Sequence, residues 1–230
     1  MVGPSPISDL PSPRTALITG GKGDFAQALR AELEAHSFIV KAPSHDQLDV
    51  TSMASISAAF ANIPQIDLLV CNAGLIVDKT MTSMSEEDFA RVLDVNLTGA
   101  FRTARAALKL MARQRRGHIV FLSSFSAFSG PVGQASYASA KAGLIALAQS
   151  LAREYGARNI RVNCILPGFM ETRMTAHLND DHRARFKQAH TLGRFNTPLD
   201  AARFIRFLHL EMPHTSGQVF SLDSRPHRWT

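Results

Sequence analysis

The sequence predicts an α/β fold: one Rossmann-type, doubly wound parallel sheet with helices on both faces. Three observations carry that prediction. From Arg14 onward, short strand-like apolar runs alternate with longer stretches of helical spacing. The short runs are almost continuously apolar, as strands covered on both faces must be. The residues that follow them (TGGKGDF, APSHD, NAGL, SSFSAFSG and PGFMET) are rich in small or polar types. Sheets of this kind bind ligands just beyond the carboxyl ends of their strands.

The elements follow in order. Residues 1–13 hold four prolines and read as a flexible tail, leaving 14–230 as one domain. Strands are predicted at Thr15–Thr19, Phe38–Ala42, Ile66–Cys71, His118–Ser123, Ile160–Leu166 and Gln218–Leu222. Helices are predicted near 25–36, 53–61, 86–94, 97–114, 136–155 and 198–210. Ser85-Glu86-Glu87-Asp88 has the form of a capped helix start, with acids facing the positive end of the dipole. No internal repeat or linker divides the chain.

Composition narrows the function classes. The 230 residues are 45% hydrophobic and 19% charged, ordinary for a globular domain large enough to bury a core without staples. Net charge is +6, but the 25 Lys and Arg are dispersed, which argues against nucleic acid. The densest cluster, Arg113, Arg115 and Arg116, reads as a solvated helix end or as a docking patch for an acidic partner. Cys71 and Cys164 sit in apolar runs and read as buried free thiols. No run approaches the ~20 apolar residues of a membrane span, and no secretory leader is visible, so a cytoplasmic protein is expected. His177, His182 and His190 lack metal-ligand spacing, so no metal is expected.

Two motifs carry chemistry. Thr19-Gly20-Gly21-Lys22-Gly23 lies between a strand and a helix, where glycine amides and the helix N-terminus can approach a pyrophosphate. Tyr137-Ala-Ser-Ala-Lys141 places a phenol and an ammonium four residues apart on one helix face. A free tyrosine, with a pKa near ~10, is a poor acid/base at neutral pH, and a nearby ammonium lowers that value. Such a pair can serve as a general acid/base. Tyr155 has no such partners and reads as packing.

With these residues in place, the chain resembles the short-chain dehydrogenase/reductase family from Arg14 to about Leu222. The matches come in the family's order. They are Thr19-Gly20 after the first strand, Asp49-Val50 after a third short strand, Asn72-Ala73-Gly74, and Asn96 in DVNLTGAF. Ser124, thirteen residues before Tyr137, comes next, then Lys141, then Pro167-Gly168 with Thr172.

The resemblance implies a role for each residue. Tyr137 would give its proton to a carbonyl oxygen in reduction and Ser124 would orient that oxygen. Lys141 would hold the nicotinamide ribose and depress the Tyr137 pKa, and Asn96 would anchor a proton relay. Asp49 would meet the adenine. Asn72, Ala73 and Gly74 would stabilise the central sheet and line the adenosine side. Thr172, after Pro167 and Gly168, would meet the nicotinamide carboxamide. Hydride transfer would belong to the cofactor. NAD-preferring Rossmann proteins place a carboxylate at the end of the second strand, but here that place holds Ser44, followed by His45. With Lys22 in the glycine turn, NADP(H) is expected over NAD(H), NAD(H) remaining possible.

Within the family the pattern is closest to β-ketoacyl-acyl-carrier-protein reductases, as in Gly133-Gln134-Ala135-Ser136-Tyr137, Ala152-Arg153-Glu154 and Pro167–Thr172. This implies reduction of a 3-ketoacyl thioester in fatty acid or polyketide synthesis, on a small-molecule or carrier-protein-bound ketone. Arg115 and Arg158 resemble basic positions near the site mouth that meet the acidic acyl carrier protein. A homodimer or homotetramer is implied through the helices near 97–114 and 136–155. Two alternatives stand beside this: the same chemistry on another carbonyl, sugar or secondary alcohol, and a weakly active cofactor-binding regulatory protein. The chain departs from the family where Asp24 and Ala26 replace the last two glycines of the turn, and where Asp223-Ser224-Arg225 replaces Asp-Gly-Gly. Residues 169–197 read as a lid with an apolar stripe of Phe169, Met170, Met174 and Leu178.

Overall fold

A computed structural model describes residues 13–176 and 179–226. The expected tail at 1–13 lies, apart from Pro13, outside the described residues, as do His177 and Leu178. Six strands form one sheet: β1 (Arg14–Ile18), β2 (Phe38–Lys41), β3 (Leu68–Cys71), β4 (Gly117–Leu122), β5 (Ile160–Leu166) and β6 (Val219–Ser221). Every pairing is parallel and the order is β2-β1-β3-β4-β5-β6. The chain therefore reverses its direction of growth between β1 and β3. At such a switch point the connections leave to opposite faces and open a crevice at the carboxyl ends.

Both faces are covered, which explains the unbroken apolar strands. On β3, Leu69 and Cys71 join a core with Ala104, Leu108 and Met111 of α4 (Gly99–Gln114) and Leu144 and Ala148 of α6 (Ala135–Tyr155). The alternate residues Leu68 and Val70 face the other way. They pack with Phe25 and Leu29 of α1 (Asp24–Glu34) and with Ala201 and Ile205 of α8 (Pro198–Leu210). The remaining helices are α2 (Met53–Ala61), α3 (Glu86–Leu93), the single turn α5 (Ser126–Ser129) and α7 (Asp180–Gln188). Ser85 caps α3 as its sequence suggests, accepting the Asp88 N–H at 3.1 Å. Cys71 and Cys164 are free and buried.

One expected strand is missing. No strand lies between β2 and β3 among the described residues, so Asp49-Val50 follows a turn. Pro43 lacks a ladder donor, and the next residues fold locally: the Gln47 and Leu48 N–H groups both bond the Ser44 carbonyl. Leu48 and Val50 are instead buried in a small cluster with Ile56. β2 is thereby left as the edge of the sheet.

At the amino ends of the strands, away from the crevice, lies a buried polar cluster. His118 of β4 takes a hydrogen bond from the Asn163 amide at 3.0 Å, and its other ring nitrogen meets His209 Nδ1 at 3.3 Å. His209 Nε2 is buried with no hydrogen-bond partner. Burial, then the Arg161 charge, pushes His118 well below the ordinary histidine range, and pushes His209 down to about 3. Both are therefore neutral in the folded chain and protonate on unfolding below about pH 6.5. Their contribution to stability is complete above that pH and is lost as pH falls toward about 3. The urea midpoint is expected to drop steadily between pH 7 and 4, and His209→Phe to flatten that drop. An unchanged pH profile in the variant would show that this cluster does not set acid stability.

Candidate active site

The glycine turn leaves β1 at the switch point. Thr19 is buried, and its hydroxyl accepts the N–H groups of Asn72 and Ala73 at 3.0 and 2.9 Å. The Asn72 side chain returns a bond to the Thr19 carbonyl at 3.0 Å. The ends of β1 and β3 are thus sewn together, the part that the resemblance gave Asn72. A β-carbon on Gly21 would lie 1.9 Å from the Ala42 carbonyl oxygen, so only glycine fits where this turn crosses the end of β2. Gly23 is the N-cap of α1 and supplies no side-chain bond, so the positive end of that helix faces the crevice without a side-chain cap.

The proposed adenosine end is polar. Lys22 Nζ bonds Asp46 at 2.8 Å with both groups largely exposed, an ion pair that water weakens. Ser44 is buried and hydrogen-bonds Gln47, and His45 is exposed, 3.8 Å from Asp49. The Asp49 carboxylate is spent on Thr51, accepting its N–H at 2.9 Å and its hydroxyl at 2.7 Å, which pulls its pKa down.

The four expected catalytic residues converge at the carboxyl ends of β3 and β4. Tyr137 and Lys141 lie on the first turns of α6, with Lys141 Nζ 5.4 Å from the Tyr137 ring centre. The same ammonium bonds the Leu122 carbonyl at 2.7 Å, and Ser123 Oγ bonds the Lys141 carbonyl at 2.8 Å, fixing α6 to β4. Asn96 sits in a π-helical turn, Asp94–Thr98, that joins α3 to α4 without a break where the sequence suggests two helices. Its amide donates to the carbonyls of Leu75 (2.8 Å) and Val92 (2.9 Å). A β-carbon on Gly74 would lie 2.9 Å from Asn96 Oδ1 and 3.9 Å from Lys141 Nζ, so glycine lets the loop after β3 touch both.

Electrostatics differ from the expectation in one respect. Burial dominates at Tyr137 and pushes its pKa up to about 12, with Ser124 pulling the other way and Asp78 adding to the rise. The phenol is held in its protonated, donating form. Burial also pushes Lys141 down to about 8. The expected depression of Tyr137 by Lys141 is therefore not what this chain alone produces.

Sequence reasoning missed a polar chain behind Ser124. Its hydroxyl meets Ser126 Oγ at 3.2 Å, Ser126 bonds Gln134 at 2.8 Å, and Gln134 bonds Asp78 at 3.1 Å. Polar residues with no motif of their own gave no signal for it. The lid anchors were also missed. Asn196 bonds the Pro167 carbonyl at 3.1 Å, while Gly168 packs on Asp223, which pairs with Arg225 and lies 3.8 Å from the buried His190. Arg225 stacks on Phe125 at 3.7 Å, beside Ser124. Within the segment expected to be a lid, Phe169 packs on Phe195 and Phe186, and Met170 packs on the sheet core. Leu178 and the Met174 side chain are outside the described residues. Thr172 begins a short helical turn, Arg173–Thr175. His182 bonds Asn179 in α7's cap. Tyr155 packs against the core beside α4.

The basic cluster divides. Arg116 is structural, bonding Asp67 at 3.0 Å. Arg115 and Arg158 precede β4 and β5, with Arg115 bonding the Ala157 carbonyl at 3.3 Å. They stand at the amino ends of the strands, the opposite end of the sheet from Tyr137, and not at the site mouth where they were expected. Among the described residues no helix is long and apolar enough to cross a membrane.

A family profile described as Enoyl-(acyl carrier protein) reductase matches residues 20–224. The chain is 41% identical over 214 residues to a 3-oxoacyl-[acyl-carrier-protein] reductase FabG of Aquifex aeolicus, covering 91% of this chain and 86% of that one. It is 36% identical over 231 residues to a FabG of Rickettsia bellii, covering 92% and 96%. It is 33% identical over 225 residues to the 3-oxoacyl-[acyl-carrier-protein] reductase MabA of Mycobacterium bovis, covering 91% of each.

Proposed function

Because the chain belongs to the short-chain dehydrogenase/reductase family and is an oxidoreductase acting on CH–OH or C=O groups, we propose that it reduces a 3-ketoacyl thioester with NADPH, Tyr137 serving as the acid. The observation that carries this reading is the convergence of a protonated, partly buried Tyr137 with Ser124, Lys141 and Asn96 at the switch-point crevice.

The residues present fit a dinucleotide. The turn Gly20–Gly23 leads to a helix end with no side-chain cap, and a buried lysine stands beside the tyrosine. Thr19, Gly20, Gly21, Lys22 and Gly23 would hold the phosphates, and Ser44 and His45 the adenosine ribose. Asn72, Ala73 and Gly74 would line the adenosine side, with Asp49 holding its wall through Thr51. Tyr137 and Lys141 would hold the nicotinamide ribose, and Pro167, Gly168 and Thr172 the carboxamide. When bound, the nicotinamide supplies hydride to the carbonyl carbon. Ser124 donates a hydrogen bond to the carbonyl oxygen and orients it, and Tyr137 gives that oxygen its proton. The Lys141 ammonium, kept near Tyr137 by the Leu122 carbonyl, stabilises the phenolate left behind. Asn96, held open toward the Leu75 loop, anchors the path by which Tyr137 is reprotonated.

A carrier-protein thioester accords with the substrate named for the relatives. Buried, unpaired thiols accord with a cytoplasmic setting. A homodimer or homotetramer through α4 and α6 accords with exposed Phe101 on α4. The preference for NADPH rests on Lys22 and on Ser44 at the end of β2, with Asp46 as Lys22's present partner.

Acetoacetyl-CoA reduction is expected to run about tenfold or more faster with NADPH than with NADH, and Lys22→Ala to erase that difference, since one phosphate-contacting ammonium is worth about a factor of ten or more. Equal rates in the wild type would overturn the cofactor preference. NADPH binding without turnover of any ketone would favour a regulatory binder.

A further inference from the structure

Asp24 is the first residue of α1, the helix whose amino end faces the crevice, and its carboxylate is fully engaged by one residue 149 positions away. Oδ2 accepts the Arg173 backbone N–H at 2.7 Å and Oδ1 accepts Arg173 Nε at 2.7 Å. Arg173 Nη2 also bonds the Lys22 carbonyl, so one guanidinium grips both the carboxylate and the glycine turn. These bonds, the backbone one foremost, hold the Asp24 carboxyl below the usual carboxylate range, so the ion is the form present at neutral pH.

That carboxylate occupies awkward ground for an anion site. The N–H groups and positive dipole end of α1 are what would attract a pyrophosphate. A bare carboxylate in the first turn competes for the same N–H groups and repels the same ligand. Arg173 belongs to the segment that begins at Thr172, in the proposed nicotinamide wall. The Arg173 side chain is largely exposed, so water screens part of its charge, but with two bonds to the carboxylate it offsets that of Asp24, and its three bonds tie the Thr172–Thr175 turn to the glycine turn.

We infer that Arg173 is an affinity residue for the dinucleotide pyrophosphate, acting by neutralising Asp24 at the amino end of α1. The ligand class rests on the function proposed above. Neutralisation sets a sign that simple contact or simple lid support does not: removing Arg173 harms binding only while Asp24 is present.

The test is a fluorescence titration of NADPH into the wild type, Arg173→Ala, Asp24→Asn and the double variant, repeated by calorimetry with inorganic pyrophosphate. Arg173→Ala is expected to weaken NADPH binding by about tenfold or more, the scale of one uncompensated charge beside a phosphate. Asp24→Asn is expected to bind at least as well as the wild type, and the double variant to recover to within about threefold of it. Unchanged binding in Arg173→Ala overturns the inference. So does a double variant as weak as Arg173→Ala, because Arg173 would then act by direct contact or by lid support alone. If the wild type ignores NADPH and NADH but binds pyrophosphate in the same rank order, the pair stands and the proposed function falls. If it binds none of them, both fall.

Discussion

Tyr137→Phe is expected to lower kcat/KM for ketone reduction by about 10²–10⁴-fold, the usual contribution of a positioned general acid. The phenyl ring keeps the packing and the stack of Lys141 over its face, so the fold should change little, and cofactor affinity should fall only by the one ribose contact that the hydroxyl supplies. What is lost is the hydroxyl that carries the transferred proton. Its pKa, raised to about 12, keeps the proton on the phenol, so loss of the tyrosine proton is not expected to limit the rate at high pH. Lys141 does: with a pKa near 8, its ammonium is lost as pH rises through that value, and wild-type kcat/KM should fall there. A stopped assay of Tyr137→Phe against wild type from pH 6 to 10 checks both statements. Residual activity within a factor of ten of wild type would remove Tyr137 from the chemistry.

Gly21→Ala should damage the protein before it damages the chemistry. The new methyl would lie 1.9 Å from the Ala42 carbonyl oxygen, and the obstacle is backbone on both sides. Neither β1 nor β2 can move aside without breaking their ladder. Overpacking of this kind costs about 1–3 kcal/mol or more, which for a domain of this size lowers Tm by about 2–4 °C per kcal/mol. A drop of about 6 °C or more by calorimetry is expected, with NADPH affinity falling in parallel because the same turn forms the anion cradle. A Tm within about 1 °C of wild type would mean that the turn yields more easily than its geometry indicates.

Much of this was legible in the residues. All six strands follow from apolar runs covered on both faces and the main helices from their apolar spacing, whereas the short α5 and the polar α7 (Asp180–Gln188) have no apolar stripe to announce them. Tyr137, Lys141, Ser124 and Asn96 were legible because their spacing is fixed by one helix face and by strand ends. The third short strand was not, because it came only from the family's order of motifs, while Pro43 and the Ser44 turn that undo it act through backbone bonds. The break expected between 94 and 97 is a π turn, a one-residue change of register that leaves no trace in composition. Asp24 was read as a fault in the glycine turn. Its partner lies 149 residues away, beyond any local pattern. The pKa of Tyr137 was misjudged for a related reason: spacing shows that Lys141 is near, but the desolvation that outweighs it comes from groups the fold brings around the phenol.

The missing third strand also bears on how the molecule stays apart from its neighbours. With β2 as the outermost strand, the sheet ends in a row of backbone donors and acceptors that another chain could extend, and Ile39 there is half exposed. Three features guard that border: β2 is only four residues long, it closes on the exposed Lys41, and Pro43 denies an incoming strand its next hydrogen bond. Changes such as Lys41→Val with Pro43→Val would turn a blunt border into an adhesive one, and the sign of it would be fibrillar aggregation on mild heating, well before any loss of the catalytic fold.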